Sequence, residues 1–188
     1  MKNYLLISAL TVLLISCKDK KKSTEEGKEK PISVISIIKG QLNHLDTSIY
    51  QLTKYELIGD KADTSFIKRE EIKTIAAPFL TLPDIANDNY DKEYTDERLI
   101  DAQQETLSMI STAKNEDAEI QKQIIIVKLS DLSSGQVQSI YIDRYIASGD
   151  STIEQKLFWD IDNYFSIGNI IQKKDQPESK NSVKVAWQ

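Results

Sequence analysis

Cysteine and histidine are nearly missing from this chain, with one of each, Cys17 and His44, in 188 residues. One cysteine excludes an internal disulfide, so stability has to come from packing. A structural zinc site draws several ligands from these two residue types and is excluded with it. Cys–His or Ser-His-Asp nucleophilic catalysis would have to run through His44 alone. Positive charge is also short: 24 Lys and Arg stand against 29 Asp and Glu, a formal net charge of -5. No basic stripe with interleaved aromatics follows the first thirty residues, which argues against a nucleic-acid partner. Aromatics amount to 7%, fewer than a glycosidase groove brings. What is present, 40% hydrophobic and 28% charged residues, is the composition of an ordinary globular chain. It is long enough for the core of a single domain.

The N-terminus has a pattern of its own. Met1-Lys2-Asn3 is a short positive start, and Tyr4 to Ile15 is apolar except for Ser8 and Thr11. About a dozen apolar residues are too few to span a membrane, which takes about 20, but they suit the apolar region of a secretory signal. Leu14-Ile15-Ser16-Cys17 resembles the lipobox of bacterial lipoprotein precursors. The resemblance implies cleavage between Ser16 and Cys17 and a diacylglyceryl group on the Cys17 thiol. Residues 1–16 are thus expected to be a removed signal peptide. The competing readings are a plain cleaved signal and an uncleaved anchor with an incidental cysteine.

Lys18 to Lys30 is dense in charge and lacks apolar residues, so residues 17–30 read as the lipidated cysteine and a charged tether that cannot pack. Its lysines could touch anionic headgroups. Lys18 stands where an aspartate would resemble the inner-membrane retention signal of enteric bacteria. An outer-membrane destination in the cell envelope is therefore expected, in the periplasmic leaflet or at the cell surface. No cofactor beyond the covalent lipid is expected.

Residues 31–188 read as one α+β domain. Ile35, Ile38, Leu42, Leu45, Ile49 and Leu52 recur at spacings of three and four, which predicts an amphipathic helix of about 25 residues ending near Gly59-Asp60. The same stripe would serve a coiled-coil seam, although Val34 and Ile37 widen it toward packing within the domain. His44 flanks the stripe and is expected at the surface. A second helix is predicted from Ser65 as N-cap, turning Ile67, Ile72, Ile75 and Phe79 inward, with Pro78 kinking it and Pro83 closing it.

The acidic segment 84–97 follows. A calcium loop wants oxygen ligands at alternate positions, glycine at the sixth and glutamate at the twelfth. Asn87, Asn89 and Asp91 fit the alternation, but Lys92 and Arg98 occupy the sixth and twelfth places. The three are a weak metal candidate, and a solvated loop is the expected outcome. Asp91 and Glu93 are the one carboxylate pair considered for hydrolase chemistry.

From about residue 98 the period falls to two. Ile153, Leu157, Trp159 and Ile161 share one strand face, opposite Glu154, Lys156 and Asp160. Phe165, Ile167 and Ile171 alternate, with Gly168 expected at a bulge or close approach. Val183, Val185 and Trp187 alternate in the last strand, and Ile140, Ile142 and Ile146 mark another. Ile124 to Leu129 reads as a central strand covered on both faces, and Thr106 to Ser111 as one paired with Leu99-Ile100. Turns are expected at Ser133-Ser134-Gly135, Ala147 to Asp150 and Lys173 to Pro177. Connections this short require antiparallel neighbours. The expected architecture is two N-terminal helices on a five- to six-stranded antiparallel meander, one sheet face wet, with Trp159 and Trp187 as core anchors.

The strings Gly135 to Ile142, Gly149-Asp150-Ser151, Lys156 to Trp159, Phe165-Ser166-Ile167 and Val183 to Trp187 resemble a group of Bacteroidota lipoproteins that carry no motif of known activity. The resemblance implies this fold and an envelope location, and it supplies no catalytic residue. Asp150-Ser151-Thr152 also resembles the short O-glycosylation acceptor of that phylum. The reading is a lipid-anchored, non-catalytic module that binds an envelope protein, a glycan or a small apolar ligand. A carboxylate hydrolase and a spacer pairing through the 35–52 helix are the alternatives.

Overall fold

A computed structural model of the chain describes residues 32–131 and 136–188. The signal segment with Ser16 and Cys17, the tether and the Ser133-Ser134-Gly135 turn lie outside the described residues. Within them the order is α1 (Val34–Thr47), β1 (Leu52–Ile58), β2 (Lys61–Phe66), α2 (Arg69–Ile75), α3 (Ala77–Leu80), β3 (Tyr94–Asp101) and β4 (Thr106–Ala113). Then come β5 (Ile120–Lys128), β6 (Val137–Ser148), β7 (Ser151–Asp160), β8 (Tyr164–Lys173) and β9 (Ser179–Trp187). The strands form one sheet of nine in the order β2-β1-β9-β8-β7-β6-β5-β4-β3, every neighbour antiparallel. Strands β3 to β9 make a meander longer than the five or six expected. The hairpin β1–β2 is added at its far side, where β1 pairs with β9.

The extra hairpin comes from a stretch whose spacing reads as helix. Helix α1 begins at Ser33, whose hydroxyl oxygen accepts from the Ser36 amide at 3.3 Å, as an N-cap does. It buries Val34, Ile38, Leu42 and Leu45 and stops at Thr47, some ten residues before Gly59. Ile49, expected on the stripe, is 98% exposed, and Leu52 opens a strand. Thr53-Lys54-Tyr55-Glu56-Leu57-Ile58 mixes β-branched and aromatic residues that favour a pleated surface. Gly59-Asp60 is the two-residue turn that sends the chain back, Ile58 facing Lys61, with Gly59 at φ 58°, a conformation that suits glycine in such turns.

Ser65 lies in β2, opposite Lys54, and caps no helix. Helix α2 starts at Arg69, and the Glu71 carboxylate accepts the Lys68 amide at 2.8 Å. Pro78 falls in the first turn of α3, where a missing N–H costs nothing, so it starts a third helix and does not kink the second. Ile72 and Phe79 are buried as expected.

The helices cover one face of the sheet. Phe79 of α3 stands edge-on to Trp159 (centroids 5.1 Å apart, 86°) and Phe165 (5.7 Å, 76°), and Trp159 stacks on Phe165 at 4.8 Å and 19°. Trp187 leans on both rings. Such aromatic pairs contribute about 0.5–1.5 kcal/mol beyond area burial, and both tryptophans are core anchors as their strand faces predict. Ile140, Ile142, Leu157, Ile167 and Val185 complete the layer.

Two strand details differ from expectation. Gly168 pairs with Lys156 in unbroken register, without a bulge, and a Cβ there would meet nothing nearer than the Lys156 Cβ at 4.0 Å. In β5, Ile125 and Val127 are buried while Ile124 and Ile126 are only half-buried. Among the described residues that strand is covered on one face, because the helices leave the other open.

Candidate binding face

Directly opposed residues in an antiparallel sheet point to the same side, so the register assigns every residue to the helix-covered face or the open one. On the covered face the apolar layer ends at a polar row crossing four strands. Arg144 of β6 donates from Nη1 to the Gln155 side-chain oxygen at 3.3 Å, Gln155 to Asn169 at 2.8 Å, and Asn169 to Asn181 at 2.7 Å. Arg144 also donates to one Glu119 carboxylate oxygen from Nε (2.8 Å) and Nη2 (2.5 Å), and to the Pro78 carbonyl at 3.4 Å. The row satisfies polar groups that half-burial would otherwise penalise. It ties α3 to the sheet where helical cover ends.

The open face has a different make-up. One row across it runs Ile124, Tyr141, Phe158, Ser166, Lys184, Tyr55; the next runs Lys122, Asp143, Lys156, Gly168, Ser182, Leu57. Phe158 leans on Tyr164 at 5.6 Å, and the Lys184 ammonium sits 3.8 Å above the Tyr164 ring, a cation–π contact. The Asp143 carboxylate oxygen Oδ1 accepts from the Tyr141 hydroxyl at 2.6 Å and from Lys156 Nζ at 2.5 Å. Burial, then the Asp143 hydrogen bond, pushes the Tyr141 hydroxyl above its ordinary pKa. The same carboxylate holds Lys156 above its own. Both therefore keep their protons at neutral pH, and neither is poised as a base or nucleophile. The trio is a fixed set of polar groups beside two rings.

The hairpin β1–β2 continues this face, and between Leu52, which is buried on the helix side, and Ile58 its polarity is inverted. Lys54 and Glu56 point to the helix side, where their side chains pair at 3.0 Å, whereas Tyr55, Leu57 and Phe66 point to the open side, 45%, 44% and 73% exposed. A strand folded only to complete its own core would present the opposite faces.

Where β5 carries an extra residue at Gln121 against β6, an open pocket of about 410 Å³ is lined by Glu116, Asp117, Gln121, Asp143, Arg144, Tyr145, Glu154 and Lys156. Gln121 anchors its rim by donating to the Glu116 and Ala118 carbonyls. Its charges are mixed. Among the described residues no three His, Cys, Asp or Glu side chains are grouped to hold a metal ion.

The residues singled out from the sequence fall elsewhere. Asn87 and Asn89 belong to a capped turn: the Asn87 side-chain oxygen accepts the Asn89 amide at 3.3 Å, heading the short 3-10 helix Asp88–Tyr90. Asp91 closes that turn and Glu93 leads into β3, both exposed. His44 is exposed on α1, edge-on to Tyr50 at 6.3 Å. Of Asp150-Ser151-Thr152, Asp150 lies in the two-residue β6–β7 turn after Gly149 and the other two open β7, with the Ser151 hydroxyl donating to the Ser148 carbonyl at 3.1 Å. The Tyr141–Asp143–Lys156 cluster and the Arg144 row escaped sequence reading. The one signal for them was the alternation of Tyr141, Asp143 and Tyr145 with the apolar positions of β6. No family model, no curated protein and no solved structure matches the chain.

Proposed function

We propose that the protein is a lipid-anchored lipoprotein of the cell envelope, in the outer membrane, whose domain is a non-catalytic module presenting the open sheet face to an envelope protein. The observation that carries the binding reading is the inverted hairpin, which turns Tyr55, Leu57 and Phe66 away from the core and joins them to the Tyr141–Phe158 row. Apolar groups laid out over several strands, interspersed with fixed polar groups, suit an extended partner. A small apolar ligand calls for an enclosed apolar cavity, whereas the groove at Gln121 and Lys156 and the one beside Leu52, Phe66 and Ile67 are both open to solvent. The α1 stripe is buried within its own domain, which leaves a partner helix nothing to pair with there. The lipid anchor rests on Leu14-Ile15-Ser16-Cys17 and the apolar run before it.

Two measurements test this. Fatty-acid labelling should mark the parent chain and vanish in Cys17→Ala; label retained in that variant removes the anchor. Capture from detergent-solubilised envelopes should recover a partner with the parent chain and at least about tenfold less with Leu57→Ser plus Phe66→Ser, which is roughly 1.4 kcal/mol of binding. Equal recovery by both, or none above background, removes the binding face, and a thermal shift with glycans alone would make the partner a glycan.

A further inference from the structure

Strand β3 ends one side of the sheet, and among the described residues its one strand partner is β4. The Lys114 amide donates to the Glu93 carbonyl at 2.9 Å, and this bond sets the phase of the ladder. Backbone groups alternate between facing the neighbour and facing away. Thr95, Glu97 and Leu99 therefore direct theirs to β4, while Asp96, Arg98 and Ile100 direct N–H and C=O outward. An outward edge of this kind is a template for another strand. At its end Leu99 and Ile100, on opposite faces, are 56% and 70% exposed.

We propose that β3 pairs antiparallel with β3 of a second copy of this chain, the two Glu97 residues facing each other across a two-fold axis. Pairing that preserves the alternation of faces must centre on a residue, and the two centres that engage most of the strand are Glu97 and Arg98. Centring on Arg98 sets two guanidinium groups against each other and Asp96 against Ile100. Centring on Glu97 places Asp96 opposite the second copy's Arg98 twice, and Thr95 opposite Leu99 twice. It leaves one like-charge pair, Glu97 with itself. Opposite charges directly across a strand pair stabilise it, and like charges weaken it, so the register with two favourable pairs against one unfavourable is selected. The outward groups of Asp96 and Arg98 then exchange two bonds in each of two pairs.

An axis perpendicular to the sheet keeps both helical layers on the same side, so both chains enter α1 from one side of the pair. That arrangement suits two anchors in one bilayer. Only this last point rests on the proposed lipoprotein reading, and the test below is independent of lipidation.

The test is oxidative cross-linking of the full chain in detergent, with the parent chain measuring any background from Cys17. Glu97→Cys should give a disulfide-linked dimer, because directly opposed residues lie within the Cα separation that a disulfide needs. Thr95→Cys should stay at background, its counterpart lying four residues along, about 14 Å away. Thr64→Cys on the other edge strand, β2, should stay there too. Adding Arg98→Glu to Glu97→Cys should lower the dimer about fivefold, and further adding Asp96→Arg should restore it. No dimer above background at Glu97→Cys, an equal yield at Thr95→Cys or Thr64→Cys, or no restoration by the charge swap overturns the proposal.

Discussion

The two faces of the sheet are built from the same strands, often from adjacent residues, and they do opposite things. Trp159 and Phe158 are neighbours in β7. The first is buried without measurable exposure between Phe79, Phe165 and Trp187. The second stays half-buried beside Tyr164. Pleating alone separates them. On the covered face, neighbours were chosen for fit, down to the polar row where the helices stop. On the open face apolar and charged groups are intermixed, and the hairpin β1–β2 adds apolar side chains where its own domain has no use for them. Stability resides on one side of the sheet, and the surface available to other molecules on the other.

That contrast can be broken most decisively within β7. Trp159→Ala is expected to lose about 3–5 kcal/mol in urea unfolding, and Phe158→Ala less than half as much. Equal losses would mean that the open face is also structural. At the boundary, Arg144→Ala strips partners from Glu119, Gln155 and the Pro78 carbonyl, and about 1–3 kcal/mol should follow in the same assay. A loss below about 0.5 kcal/mol would show that the row merely decorates the sheet.

Tyr94 offers a pH probe of the covered side. Its hydroxyl donates to the Ile120 carbonyl at 3.1 Å. Burial first, then Glu93, Tyr90 and Glu119, raises its pKa to about 12. The folded state then holds a proton that the unfolded chain releases near pH 10. This stabilising share is present in full below pH 10 and is lost as pH rises from 10 to about 12. Unfolding measured over that window should show a decline in the parent chain that is shallower in Tyr94→Phe. The smallest effect belongs to the open face: Leu57→Ser should alter stability by no more than about 0.5 kcal/mol, while diminishing partner capture.

The strands that carry this contrast were the legible part of the sequence. Alternation at Ile153, Leu157 and Trp159, and at Val183, Val185 and Trp187, gave the right faces because one side of each strand is buried against helices. The β3–β4 pairing was foreseen through Leu99-Ile100 and Thr106 to Ser111, which the register brings together. Residues 49–66 misled. Ile49 and Leu52, three apart, continue the helical spacing of the stripe, but Leu52 opens a strand because its pairing with β9 decided the outcome. The open face was hidden for another reason. Tyr141, Asp143 and Lys156 meet only because β6 and β7 pair in one particular register, and Tyr55 joins them across β8 and β9. Among the residues proposed for chemistry, Asn87, Asn89 and Asp91 follow one another along a turn, where local spacing mimics a ligand pattern without assembling one.

The seam between β1 and β9 has a consequence in time. Residues 52–58 find their partners at 181–187, some 130 positions further along the chain. Long-range pairings of this kind are slow to form, since the intervening chain must be ordered before they are rewarded. While the chain is being made, the hairpin β1–β2 has no strand to lie against until residue 187 has emerged, and a lone hairpin is marginal in water. The sheet is therefore completed last at the place where the chain's earliest strand begins. On the proposed lipoprotein reading the chain threads through a membrane before it folds, and such a seam keeps the sheet from closing until the whole of it has been released.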